Sequence, residues 1–208
     1  MTLLQDNELC QRSGNCLVYL YGRGQSRRGP AFKIPFSLLL SAQCHPLVER
    51  FAVWDAPNSP ASLDSDCSSH TYTQFEFWNQ LNPTTKVELY IPPPAGADKE
   101  QAFRYHLATR NFFAWVCRRS LVGDTLGDAL VGLLNSMHEF RVPGQDNVAD
   151  LIDYMEEEGY LDMRNQADHA LAVVRLAETF HLRGMYIDSF AHCAGMSNRV
   201  HLSPEYRV

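Results

Sequence analysis

The feature that most constrains the fold is a change in hydrophobic pattern along the chain, from short strand-like runs to helix-like spacing near Asp98. Residues 16–21 are β-branched and aromatic, which favours a buried strand. Residues 31–34 predict a second strand, and residues 86–91 predict a third, which ends at a run of prolines because proline cannot extend a ladder. Strands that come before helices, rather than alternating with them, indicate an α+β fold with a small mixed sheet and a helical cluster.

Helix signals occur after the second strand and again after the third. Short helices are predicted at residues 38–42 and 46–51, the second with a proline at its first position. Asp98 and Gln101 have the spacing of a capping box, so we expect a helix from there to about residue 118. Apolar residues on one face predict the remaining helices, at residues 126–137, at 147–159 and, with a break near Gly184, at 170–191.

Length and composition indicate one globular domain, or one domain with elaborations. The chain has 208 residues, of which 45% are hydrophobic, and this is enough for a sizeable core. We expect an N-terminal tail at residues 1–13, the domain at 14–196 and a C-terminal tail at 197–208. Residues 55–84 carry prolines, serines and aspartates, and we expect them to form a loop inserted into this domain.

Charge and hydropathy argue against two classes of partner. The formal net charge of −6 argues against a general nucleic-acid binder, because phosphate contacts need clustered Lys and Arg. No run approaches the ~20 apolar residues that span a bilayer, and the first residues lack the basic and apolar regions of a secretory signal. We therefore expect a cytoplasmic or nuclear protein with neither nucleic acid nor membrane as its partner.

Six cysteines are scattered without a Cys-x-x-Cys pair, so we expect free, mostly buried thiols in a reducing compartment. The metal candidates are two adjacent pairs, Cys44-His45 and His192-Cys193. Further candidate donors are Cys10, Cys16, Cys67 and His70. Structural zinc favours short spacings between its ligands, which adjacent pairs do not match. We predict no metal and no cofactor, and a zinc-binding or Cys/His-dependent enzyme remains the alternative.

Residues 22–29 form a glycine-rich loop after the first strand, which raises the question of a phosphate site. The dinucleotide fingerprint needs Gly-x-Gly-x-x-Gly at the start of a helix, but here the third glycine is displaced and a strand follows. A nucleotide or phosphate sensor is thus a second alternative. The loop is also basic through Arg23, Arg27 and Arg28, which either serve an acidic partner or remain solvated.

No catalytic residue is predicted. Asp188 and His192 are one helical turn apart, so they share a face. However, the chain has no Gly-x-Ser-x-Gly elbow and no cysteine in a recognisable nucleophile context. The two residues are therefore expected to form a surface pair.

Residues 112–116 read Phe-Phe-Ala-Trp-Val, which is unusually aromatic for one helix. A contiguous run covers the whole circumference of a helix, so either the helix is buried between layers or one aromatic is an exposed anchor for a partner. Phe112 and Trp115 are the candidate anchors. With Arg23, Arg27 and Arg28 they make up the predicted partner-binding residues.

The order of elements over residues 16–51 resembles the start of a BTB/POZ domain. The family's phrase Phe-Lys-x-His-x-x-x-Leu corresponds to residues 32–39, where Pro35 stands in place of the histidine. The family's third strand and closing helices correspond to residues 86–91, 147–160 and 170–193. The insertion at 55–84 and an extra helix around residues 124–140 are not part of a minimal BTB domain.

Over about residues 14–196 the chain further resembles a group of fungal proteins with a BTB-like region. The shared phrases are Cys-Leu-Val-Tyr-Leu, Gly-Pro-x-Phe-Lys, Leu-Tyr-Ile-Pro, Thr-Arg-Asn-Phe-Phe-Ala and Ala-His-Cys. The resemblance implies a BTB/POZ-like fold and a non-catalytic protein–protein interaction module, either a scaffold or an adaptor. Dimerisation and cullin-ligase recruitment are common in that family, and a homodimer is the simplest assembly.

Overall fold

The computed structural model describes residues 6–53 and 85–207. Over these residues the fold is mixed α+β, as the pattern predicts, with eight α-helices and one four-stranded sheet. The strands are β1 (Cys16–Tyr19), β2 (Phe32–Ile34), β3 (Ala52–Val53) and β4 (Val87–Tyr90). The helices are α1 (Phe36–Ser41), α2 (His45–Phe51), α3 (Lys99–Val116), α4 (Leu126–Phe140), α5 (Asn147–Glu157), α6 (Ala167–Thr179), α7 (Arg183–Gly195) and α8 (Ser197–Val200). The predicted insertion at 55–84 lies outside the described residues.

The chain divides into two compact units. In the part that the structure describes, the first unit comprises residues 6–53, 85–102 and 139–143. The second comprises residues 103–138 and 144–207. The sheet belongs to the first unit, whereas α5 to α8 belong to the second.

The sheet of the first unit has the strand order β2-β1-β4-β3. Strand β1 pairs antiparallel with β2, so the first two predicted strands form a hairpin, and it pairs parallel with β4. Strand β3 pairs antiparallel with β4 and has only two residues, so it carried no recognisable pattern in the sequence. The sheet is therefore mixed.

Alternation within the strands gives the sheet one buried and one outer face. In β1 and β4 the side chains alternate between buried and half-buried, as expected where one face covers a core. The register places Cys16 between Ile34 and Val87 on the buried face. On the outer face it places Tyr19 beside Tyr90.

Helices α1 and α2 complete the core of the first unit. Leu39 of α1 and Leu47 of α2 are fully buried, and α2 contacts β3 and β4. The turn between the helices is held by residues 139–143, because Arg141 donates from Nε to the Ala42 carbonyl at 3.0 Å and the Val142 amide donates to the Gln43 carbonyl at 3.0 Å.

Local sequence signals set the boundaries of the later helices. The capping box before α3 forms as predicted: the Gln101 amide donates to the Asp98 carboxylate at 2.8 Å, and the Asp98 amide donates to Oε1 of Gln101 at 3.1 Å. Helix α5 ends before Gly159, which takes a left-handed conformation with φ of 78°. The break between α6 and α7 lies before Gly184, and His181 takes the left-handed conformation there with φ of 57°.

The described parts of the predicted tails, residues 6–13 and 197–207, contain regular structure. Residues Asn7–Leu9 form a 3-10 turn in which Leu9 is fully buried. After residue 196, helix α8 and a second 3-10 turn, Pro204–Arg207, bury Ser203 and Glu205. Both groups are hydrogen-bonded within the second unit: Ser203 donates to the Asp168 carboxylate, and Glu205 accepts from the Gly127 amide. These partners are far away in sequence, so the local sequence carries no signal of the pairing.

Candidate interaction surfaces

Three tyrosines lie in contact on the outer face of the sheet, and we refer to Tyr19, Tyr21 and Tyr90 as the tyrosine face. The rings of Tyr19 and Tyr90 are stacked, with centroids 4.6 Å apart and planes 7° apart. Tyr21 meets Tyr19 edge-on at 5.6 Å and Tyr90 at 6.3 Å. All three side chains are only half-buried. Tyrosine is enriched in protein interfaces because it pairs a large apolar ring with a polar tip.

The tyrosine face is bordered by an ion pair on β4. Lys86 and Glu88 are 2.6 Å apart, and the Tyr90 hydroxyl donates to the other Glu88 oxygen at 3.0 Å. The hydrogen bond from Lys86 holds the pKa of Glu88 below its usual range. Burial, together with the neighbouring Glu88 carboxylate, raises the pKa of Tyr90 to about 12. The phenol of Tyr90 is therefore neutral at physiological pH. The opposite charges of Lys86 and Glu88 largely cancel each other.

The loop at residues 22–29, which we call the arginine loop, follows Tyr21 directly. Side chains hold its backbone: the Tyr21 hydroxyl donates to the Arg28 carbonyl, the Gly22 amide donates to Gln25 at 3.0 Å, and the Arg28 amide donates to Ser26 at 3.2 Å. Strand β2 follows the loop, so its glycines open no helix. A loop that is ordered before binding loses less conformational entropy when a partner arrives.

The predicted partner-binding residues Arg23, Arg27 and Arg28 are exposed on the arginine loop. Within the described residues none of their guanidinium groups forms a hydrogen bond or an ion pair, although Arg23 is close enough to Glu88 to lower its pKa. An exposed arginine that has no hydrogen bond or ion pair among the described residues is available for bidentate recognition of a carboxylate. The loop therefore adds a positive surface beside the tyrosine face.

The other two predicted partner-binding residues are not on the surface. Phe112 is fully buried and Trp115 is 5% exposed. Every residue from Thr109 to Trp115 is buried, so this part of α3 is enclosed around its whole circumference. The structure thus favours the burial alternative and corrects the expectation that Phe112 or Trp115 is an exposed anchor.

The candidate metal donors in the described part of the chain do not converge. Within the described residues, no three side chains of His, Cys, Asp or Glu form a group that could hold a metal ion. Burial raises the pKa of Cys44 to about 12 and lowers the pKa of the neighbouring His45. Cys193 packs against the apolar cluster of Ala170, Met196 and Val200. The other candidates, Cys67 and His70, lie outside the described residues.

Asp188 and His192 are both exposed on α7, where a surface pair was predicted. Within the described chain their side chains are not hydrogen-bonded to each other. Burial raises the pKa of the adjacent Cys193, which keeps this thiol protonated. The three groups therefore have neither the geometry nor the thiolate of a nucleophilic triad.

Sequence reasoning missed two surfaces. The tyrosine face needed the pairing of β1 with β4, although the alternation within each strand already placed Tyr19 and Tyr90 on one side. On α7, the apolar residues Ile187 and Phe190 are 55% and 54% exposed. The spacing of apolar residues predicts a helix there but does not show which of its faces is buried.

A carboxylate from the C-terminal 3-10 turn binds the start of α4. Glu205 is 8% exposed and accepts hydrogen bonds from the amides of Leu126 and Gly127, the second at 3.2 Å. Helix N-termini favour negative charge, and these amides have no partner within the helix. Burial nevertheless raises the pKa of Glu205, and the nearby carboxylates of Asp128 and Asp168 raise it further. Leu126, Asp168 and Glu205 border a cleft of about 320 Å³ beside the start of α4.

Replacing Glu205 with alanine is expected to lower the free energy of unfolding by about 1–2 kcal/mol, because two helix amides lose their acceptor. Glu205→Gln keeps an acceptor but cannot titrate. The pKa of Glu205 is higher in the native state than its value near 4.5 in the unfolded chain. Between these two pKa values the native state binds more protons than the unfolded state, so the stability of the wild type falls as the pH rises through this range. The stability of Glu205→Gln should be flatter there in urea titrations at several pH values. Glu156→Ala, at an exposed helical position, is the control. A loss in Glu205→Ala no greater than in this control would contradict the cap.

Comparison with known proteins identifies one partial match. Residues 148–208 are similar to a family described as a domain of unknown function (DUF8004). This region includes α6, α7 and α8, together with Glu205. No curated protein and no solved structure matches the chain. None of the helices in the described residues is both long and apolar enough to cross a membrane.

Proposed function

We propose that this chain is a non-catalytic protein–protein interaction module of the cytoplasm or nucleus, with a BTB/POZ-like domain at residues 14–196. Its partner is an acidic segment of another protein, which docks across the arginine loop and the tyrosine face. The observation that carries the proposal is the position of three exposed arginines on an ordered loop directly beside three contacting tyrosine rings. Among the described residues the three guanidinium groups form no hydrogen bond and no ion pair. A module that binds a protein partner and catalyses no reaction can act as a scaffold or an adaptor.

The order of elements supports the BTB/POZ-like part of the proposal. Strands β1 and β2 form a hairpin, α1 and α2 follow, and β4 then pairs with β1. This is the order on which the resemblance was based. The free thiols of the described cysteines agree with a reducing compartment.

The chemistry of the surface favours an acidic protein segment over other ligands. The arginines can each bind a carboxylate, and the tyrosine rings offer apolar contact with hydroxyl donors at their tips. The net charge of the whole chain is −6, so a long polyanion such as a nucleic acid would be repelled outside this patch. A short acidic segment needs only the patch itself.

Binding of an acidic peptide is expected to depend on the arginine loop. In fluorescence anisotropy, a labelled Glu/Asp-rich peptide should bind the wild type, and its Gln/Asn counterpart should not. The triple variant Arg23→Glu, Arg27→Glu, Arg28→Glu should weaken binding by about tenfold or more, because attraction becomes repulsion. Tyr21→Phe removes the hydroxyl that holds the loop and leaves every charge, so we expect a smaller loss.

The matched control reverses three other exposed arginines, Arg12, Arg119 and Arg164. It changes the net charge equally, so it separates the local patch from the general field. An equal loss in the control variant would contradict the proposed site. Tighter binding of a single-stranded oligonucleotide than of the acidic peptide would contradict the choice of partner.

A further inference from the structure

Ser26 is the one serine or threonine of the chain that has an arginine or lysine three positions before it. That residue is Arg23, and Arg27 and Arg28 follow Ser26 directly. Ser26 is also the one hydroxyl-bearing residue of the arginine loop. Protein kinases that act on basic segments select their serine by the arginines around it, which pair with carboxylates of the kinase. The loop therefore carries the charge pattern of a kinase substrate.

Within the described residues, the hydroxyl proton of Ser26 takes part in no hydrogen bond. The side chain is half-buried, and its Oγ accepts a hydrogen bond from the Arg28 amide at 3.2 Å. This bond fixes the position of the oxygen and leaves the O–H group unused. A kinase base can therefore take the proton without first breaking a hydrogen bond that the hydroxyl donates.

The arginine loop can leave the sheet without breaking the pairing of its strands. In the described chain, residues 22–29 form hydrogen bonds only with one another and with Tyr21. The register of β1 with β2 begins at Val18 and Phe32, outside the loop. Most residues of the loop are exposed. A surface segment that is held only by local contacts opens at a small cost in free energy, and a substrate segment must open in this way to enter a kinase cleft.

We propose that Ser26 is a phosphorylation site, and that its phosphoryl group switches off the binding of the acidic segment. The switch rests on the proposed function of the arginine loop. The co-reactant is ATP: the bond from its γ-phosphorus to the oxygen that bridges to the β-phosphate breaks, and a bond from the γ-phosphorus to the Ser26 Oγ forms. ADP leaves, and the hydroxyl proton passes to the catalytic base of the kinase.

The phosphoryl group acts on the same arginines that the acidic segment needs. A phosphoserine carries about −1.5 to −2 charges at pH 7 and three strong acceptor oxygens. It therefore cancels about half or more of the positive charge of Arg23, Arg27 and Arg28. The hydrogen bond from the Arg28 amide already turns this part of the loop towards Ser26. A phosphoryl group that these guanidinium groups hold competes directly with the carboxylates of a partner.

The first test treats the full chain with ATP and a serine kinase that selects arginine three residues before its acceptor. Mass spectrometry should find one phosphoryl group, on Ser26, and Ser26→Ala should take up none. Arg23→Gln should slow the reaction by about tenfold or more, because a charge-assisted contact with the kinase is lost. The matched control is Arg119→Gln, at an exposed arginine just before Ser120, and it should react like the wild type. An unmodified Ser26, or an equal rate in Arg23→Gln, would overturn the proposal.

Fluorescence anisotropy with the Glu/Asp-rich peptide tests the switch. The phosphorylated chain should bind the peptide about tenfold or more weakly than the unmodified chain, because a negative group now occupies the arginines. Ser26→Ala should bind the peptide equally before and after treatment with the kinase. Unchanged binding by the phosphorylated chain would overturn the switch.

Phosphorus NMR separates the failure of this inference from the failure of the proposed function. If the unmodified chain binds no acidic peptide, the proposed function fails, but the phosphoryl group on Ser26 can still be titrated. Guanidinium groups that hold it should lower its second pKa below the ordinary value of about 6. The double variant Arg27→Gln, Arg28→Gln should bring this pKa back towards that value. A pKa of about 6 in the phosphorylated wild type would overturn the capture of the phosphoryl group by the loop.

Discussion

Replacing Phe112 with alanine is expected to lower the free energy of unfolding by about 3–5 kcal/mol. The Phe112 ring is fully buried and lies 5.8 Å from Phe113 and 5.7 Å from Trp115, measured between ring centroids. Truncation removes a large apolar side chain and leaves a cavity that its aromatic neighbours cannot fill. Urea denaturation should show a lower midpoint with an unchanged slope, the mark of lost stability without a changed denatured state.

Phe103→Ala is the matched control, since it makes the same truncation in the same helix where the ring is 42% exposed. We expect its stability to stay within about 0.5 kcal/mol of the wild type. The comparison also decides the role of Phe112. A variant that keeps its stability and loses a partner would restore the surface-anchor interpretation, whereas lost stability assigns the residue to the core.

Phe112 and Tyr19 illustrate what sequence could predict about the candidate site. A run of aromatic residues on a helix predicts that their rings pack against another surface. The sequence cannot show whether that surface belongs to the same chain or to a partner. The structure encloses Phe112, and the aromatic surface is instead the tyrosine face. Tyr19 and Tyr90 are far apart in sequence, and only the parallel pairing of β1 with β4 brings their rings together.

The predictable parts of the fold are those determined by neighbouring residues. The capping box of Asp98 and Gln101 and the glycine end of α5 depend on a few consecutive positions, and both form as expected. Glu205 could not be found in this way, because its partners Leu126 and Gly127 are 79 and 78 positions away. A strand as short as β3 has too few residues to show alternation.

The arginine loop lies in the first unit of the chain and is proposed to recognise charge. Charge contacts mainly speed association and confer specificity, and salt screens them. Raising the ionic strength should therefore weaken binding of the acidic peptide, and binding that does not change with salt would contradict recognition by charge.

Replacing Gly14 with alanine is expected to destabilise the protein by about 1–3 kcal/mol, as overpacking does in a closely packed site. An added Cβ at Gly14 would lie 2.8 Å from the amide nitrogen of Ile34 and 2.8 Å from the carbonyl carbon of Lys33. Both atoms belong to the backbone of β2, so no side chain can rotate away. Strand β2 is paired with β1 on one side, and the Gln11 amide donates to its Lys33 carbonyl at 2.8 Å.

Gly29→Ala tests whether this loss comes from the close approach or from glycine replacement in general. An added Cβ at Gly29 meets nothing within 4 Å, and its backbone does not need the left-handed conformation. Reduced freedom of the unfolded chain should then stabilise the protein by about 0.4–1 kcal/mol. The two substitutions are therefore expected to move the thermal midpoint in opposite directions. Faster hydrogen exchange of the Gln11 amide in the Gly14 variant would locate the damage at the β2 edge, and equal midpoints in the two variants would contradict the close approach.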